Sequence, residues 1–165
     1  MTRAPALALL LLFTSSAAAA QESGWTYRST PEPVELAHTS PGSPIPDLAL
    51  TCVKDSRQIV ARFPVAQRLA ADNSSGRWLD DVGRPAPWPV SVTIASGETQ
   101  TTIPGEANLD PIGDGSIITV EFADRAPVAE AFSRTGMLAV SALGGGVQPA
   151  AAARRSVQGF LRYCR

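Results

Sequence analysis

LALTCVKDSRQIVARF, residues 48–63, holds two apolar alternations separated by a polar break. Leu48, Leu50 and Cys52 fall on one face of an extended chain and Ala49, Thr51 and Val53 on the other, which turns the cysteine inward beside two leucines. Lys54, Asp55 and Ser56 supply the turn, and residues 58–63 supply a returning strand, so the stretch predicts a β-hairpin. The inward position of Cys52 raises the question of its partner.

The chain has 165 residues and two cysteines, Cys52 and Cys164. Their distance in sequence is unlike a C-x-x-C redox pair, and with His38 as the only histidine they cannot complete a four-ligand zinc site without carboxylate help. No motif implies a metal or a cofactor. A redox or nucleophilic thiol is the functional alternative, but in an oxidising compartment a lone pair of thiols ends as a disulfide.

The N-terminus points to such a compartment. Arg3 precedes an apolar run over residues 6–13, and residues 14–20 shift to small side chains with Ala18 and Ala20 in an A-x-A pattern. This predicts a signal peptide over residues 1–20, cleaved before Gln21. The apolar run is shorter than the roughly 20 residues that span a bilayer, and no later segment is long and apolar enough to do so. Residues 21–165 are then one exported domain, large enough to bury a core.

The whole chain carries 14 basic and 15 acidic side chains, with Lys54 the only lysine. That balance gives no basic excess for a nucleic-acid surface. Arginine and alanine bias suggests a GC-rich bacterial genome, hence a periplasmic or secreted location.

Either side of the hairpin, strand patterns continue. Residues 25–28 and 34–38 are short candidates, and residues 40–46, with three prolines, read as an extended loop. Residues 65–71 read as a brief helix and 72–89 as a long irregular loop carrying Trp78 and Trp88. Val90, Val92 and Ile94 alternate up to Ser96-Gly97, and residues 98–103 return, forming a second hairpin. After turn-rich residues 104–115, Ile118, Val120 and Phe122 mark another strand.

The last third is different. Pro127 suits the first turn of a short helix lined by Val128, Ala131 and Phe132, with Gly136 at its exit. Residues 137–142 read as a buried strand and Gly144–Gly146 as a break. Ser156 reads as the cap of a final helix in which Val157, Phe160, Leu161 and Cys164 recur at helical spacing. The expected fold is mainly β: an antiparallel sandwich or curved sheet with one or two short helices, the last tied to an early strand through Cys52 and Cys164.

The export signal, Trp25, the strand ending Leu50-Thr51-Cys52, the unit from Ala131-Phe132 to Leu138 and a terminal helix ending in Cys164 resemble small periplasmic proteins related to the VasI family, associated with type VI secretion. The resemblance implies an accessory role in the cell envelope and transfers no catalytic residue.

Catalytic constellations are sparse. His38 could act as a general base only beside a nucleophile brought to it in space, and no G-x-S-x-G elbow is present. Asp80–Asp81 and Asp110–Asp114 could pair as acids, yet the separation that glycoside chemistry requires is a distance in space. The run from Asp110 to Gly115 lacks the ligand alternation of a calcium loop and reads as a turn. Trp78 and Trp88 are the binding candidates, because tryptophans in a Gly/Pro-rich loop can present a rigid apolar surface, or else fold back over the sheet. The favoured expectation is a non-enzymatic protein binding an envelope protein or a cell-wall component. The alternative is a small envelope hydrolase using His38 or an acidic pair.

Overall fold

The computed structural model describes residues 24–165, so the leader expected over residues 1–20 lies outside the described residues. The hairpin at residues 48–63 forms as β3, Leu48–Cys52, and β4, Gln58–Val65, with Leu50 opposite Ala61. Its inward face is Leu48, Leu50, Cys52, Ile59, Ala61, Phe63 and Val65, all buried. Ahead of it come β1, Trp25–Arg28, and β2, Val34–His38; after it come β7, Trp88–Ser96, β8, Thr99–Leu109, and β9, Ser116–Ala123. Between them sits a small separate hairpin of β5, Asp72–Ser74, and β6, Arg77–Leu79.

Beyond β9 the chain forms α1, Pro127–Thr135, then β10, Ala139–Ala142, β11, Gly145–Val147, and α2, Arg154–Cys164. The nine-stranded sheet runs β1-β2-β3-β4-β9-β8-β7-β10-β11, antiparallel throughout. It curls so far that β11 returns to touch β4, where Gly145 lies against the Val65 side chain. A curled sheet covered by two helices is therefore the architecture, within the mainly β class that the alternations predict.

Each helix buries one stripe. In α1, Val128, Ala129, Ala131 and Phe132 are buried; in α2, Val157, Phe160, Leu161 and Cys164 are. Pro127 occupies the first turn of α1, and Gly136 ends it at φ 71° while donating its N–H to the Phe132 carbonyl. That left-handed cap favours glycine. A side chain at Gly136 would also strike the Ala152 carbonyl.

The Cys52–Cys164 disulfide joins the end of β3 to the end of α2 across a Cα–Cα distance of 5.8 Å. The β3–β4 turn reinforces it: the Asp55 and Arg57 amides donate to the Tyr163 and Cys164 carbonyls at 3.3 and 2.8 Å. These are helix-end carbonyls that have no partner within the helix. Arg165 adds an ion pair, Nε to buried Asp124 at 3.1 Å.

Several local expectations are corrected. Residues 65–71 form no helix; β4 runs to Val65 because all eight of its residues find partners on β9, and the chain then continues without regular structure. The loop at 72–89 holds the β5–β6 hairpin, closed by Ser75 and Gly76, both at positive φ, the geometry of a tight primed turn. β8 does not stop at Ile103 but passes through Pro104 to Leu109. The strand expected at 137–142 begins at Ala139, leaving Met137 exposed, and the Gly144–Gly146 break contributes Gly145 and Gly146 to β11. Ser156 does not cap α2, which starts two residues earlier from Ala153 with no side-chain cap.

Two outcomes follow for stability. Replacing both cysteines with serine is expected to cost up to about 4.7 kcal/mol in denaturant unfolding, the chain-entropy value for a loop of roughly 100 residues. Gly159, inside α2, would place a Cβ 3.8 Å from the Tyr27 ring, an ordinary contact. Gly159→Ala is therefore expected to raise stability by about 0.5–1 kcal/mol; a fall in Tm would show that the site is already full.

Candidate functional site

The second predicted hairpin builds the most distinctive surface feature. Gly97, at φ 58°, and Glu98 form a two-residue turn that sets Ser96 opposite Thr99, with glycine at the position a type II′ turn requires. From there β8 stays paired with β7 from Thr99 to Ala107. Its other neighbour behaves differently. β9 pairs with β8 only from Gly105 to Leu109, Gly105 facing Val120 and Leu109 facing Ser116.

Pro104 and Gly105 mark the parting. A Cβ on Gly105 would lie 2.6 Å from the Val92 side chain and 2.8 Å from the Thr119 carbonyl, so the strands crowd together here as only glycine permits. Pro104 has no N–H to extend the ladder. Past it, β8 and β9 diverge around an open notch of about 530 Å³. Ile103, Pro104, Phe122, Ala126, Pro127 and Val128 give it apolar walls; Thr99, Gln100, Thr101 and Glu121 give it a polar side.

Main-chain groups in the notch follow from the antiparallel ladder. Residues flanking a two-residue turn bond to each other, and every second residue along the strand does likewise. Thr99, Thr101, Ile103 and Gly105 thus direct their amides and carbonyls toward β7, and Gln100, Thr102 and Pro104 direct theirs away from it. Glu106 and Asn108, on the same parity, meet Thr119 and Ile117 of β9. Among the described residues Gln100 and Thr102 meet no strand on that side.

The residues singled out from the sequence lie elsewhere. Trp88 is 2 % exposed, and its Nε1 donates to the Arg84 carbonyl at 2.9 Å; it presents no surface to a partner. Trp78 is half-buried on β6, with the Arg68 guanidinium 5.0 Å from its ring centroid. Cys52 and Cys164 are buried in the disulfide.

His38 has a partner that the sequence did not reveal. Its Nδ1 lies 3.1 Å from Asp47 Oδ2, and that oxygen also accepts from the Ser40 amide and hydroxyl. The Ser40 hydroxyl thus donates to the same carboxylate oxygen that His38 Nδ1 meets. On its other side the His38 ring meets Gly24, where an added Cβ would stand 2.9 Å from Nε2, and the edge of Trp25. Asp47 ties down the proline-rich loop at residues 40–46.

The pair Asp80–Asp81 divides between interior and surface. Asp80 is buried and receives the Val82 and Arg84 amides and the Arg84 guanidinium, while Asp81 is exposed. Asp110 caps its own turn by accepting the Ile112 amide, as a turn of Asp, Pro and Gly predicts. Among the described residues no group of three His, Cys, Asp or Glu side chains is placed to hold a metal ion, and no helix is long and apolar enough to cross a membrane.

Compared with known proteins, the chain matches no family model, no curated relative and no solved structure.

Burial raises the Asp80 pKa, but the hydrogen bonds from the Arg84 amide and guanidinium and the Val82 amide outweigh it and hold the group below the ordinary aspartate range. Since the unfolded value is near 3.9, Asp80 stabilises its loop fully above that pH and loses this effect as the pH falls through the lower folded value. The Trp88 indole N–H, bonded to the Arg84 carbonyl, reports on the loop. Its proton resonance is expected to move in an acid titration of the wild type and to stay fixed in Asp80→Asn.

Proposed function

We propose that this chain is a non-enzymatic accessory protein of the bacterial cell envelope, periplasmic or secreted, that holds a partner in the notch between β8 and β9. The notch itself carries the reading. There a strand edge, apolar walls and a carboxylate with no ion pair among the described residues meet at the surface, the mixture typical of binding sites.

Other observations support it. His38, Asp80 and Asp110 are engaged in holding loops. The leader pattern and the disulfide agree with life in an oxidising space, and the arrangement of Trp25, Cys52, Phe132 and Cys164 is what the resemblance to VasI-related periplasmic proteins rests on. Envelope proteins and cell-wall components are the available partners there.

A photo-reactive amino acid at Thr102, on β8 between the notch-lining Thr101 and Ile103, and another at Asn73, on the β5–β6 hairpin near Trp78, separate the two candidate surfaces. Irradiation of producing cells is expected to give a discrete adduct from position 102 and none from position 73. Adducts from position 73 alone would return the site to the tryptophan loop, and adducts from neither would overturn the binding reading.

A further inference from the structure

Resting on that reading, we infer that the occupant of the notch is an extended, positively charged peptide segment of a partner protein, which adds to the sheet as a strand along β8. The backbone argues for a strand. Gln100, which lines the notch, and Thr102, two residues along on the same parity, each turn one N–H and one C=O away from β7, with no strand opposite them among the described residues. Such groups need partners when a ligand covers them, and an extended peptide supplies both donors and acceptors at the same spacing. A sugar or a helix would not match that repeat. On the far wall Glu121 is placed likewise, because its main chain is on the parity that faces β8.

Charge selects among peptides. The notch runs into an outer groove lined by Pro89, Pro104, Gly105, Glu106, Thr119, Val120 and Glu121. Its charged residues and those of the notch are Glu106 and Glu121, both exposed, and neither takes part in an ion pair among the described residues. Arg62 lies one strand further out on β4, beyond Thr119. Apolar walls between two carboxylates suit a segment alternating basic and β-branched side chains, one parity pointing out to the glutamates and the other down to Ile103, Phe122 and Val128.

Pro104 shows how to test this without harming the fold. It already lacks the N–H that would face away from β7, so Thr102→Pro repeats at the next position of that parity what the strand tolerates. The probe is an acetylated, amidated heptapeptide alternating lysine and valine, followed by calorimetry. Expected is one-to-one binding that weakens as salt rises, drops roughly tenfold or more in Thr102→Pro, and drops a few-fold in Glu106→Gln combined with Glu121→Gln. The same peptide with glutamate for lysine is expected not to bind, and backbone N-methylation of the lysine–valine peptide to abolish binding to the wild type, a check that requires no folded variant. Failure of the lysine–valine peptide to bind, or equal binding of its N-methylated form, overturns the strand-addition inference. If adducts still form at position 102, the broader binding reading survives that failure; if they do not, both fall.

Discussion

Everything in this fold is held to one junction, where the last carbonyls of α2 meet the turn between β3 and β4. Cys52 and Cys164 supply the covalent bond, and the Asp55 and Arg57 amides donate the hydrogen bonds that the carbonyls of a helix end otherwise accept from water. The junction joins the two ends of the described chain's organisation. On one side stands the β3–β4 hairpin within the curled sheet, and on the other the helix whose Val157, Phe160 and Leu161 are buried in the core. Without it α2 is a short helix with no side-chain cap, an element that tertiary packing must stabilise.

Strand pairing in the curled sheet is uneven, and one of its incomplete ladders lies between β8 and β9. Pro104 and Gly105 place it there: the first removes a donor and the second lets the backbones crowd to the limit just before they separate. An unpaired edge is ordinarily a liability. Here it is short, recessed, and flanked by Glu106 and Glu121, features that discourage indiscriminate pairing while leaving room for a chosen segment.

Much of the architecture was legible because it rests on strict alternation. Leu48-Leu50-Cys52, Val90-Val92-Ile94 and Ile118-Val120-Phe122 each read as strands and each is one, and Pro127 with Gly136 bounded α1 correctly. What escaped was set by neighbours distant in sequence. Residues 65–71 have the composition of a brief helix, yet Val65 is recruited to β9 and Leu69 donates its amide to Ser116. The β5–β6 hairpin turns on Ser75-Gly76, a weaker signal than Asn-Gly. Pro104 read as the end of a strand, although β8 only needed its N–H to be dispensable. The notch was invisible for the same reason, since which edge lacks a neighbour is a property of the sheet order. His38 and Asp47, nine residues apart, likewise gave no sign of their pairing across a proline-rich loop.

The sequence separation of 112 between the bonded cysteines also imposes a schedule. Chains are made from the N-terminus at about 5–20 residues per second, so β3 is complete for many seconds before its covalent partner exists. Throughout that interval the early strands have no helix to cover them, and a thiol with no mate must avoid the wrong one. Having a single pair makes that wait harmless within one molecule: when Cys164 arrives, Cys52 is the only destination its own chain offers.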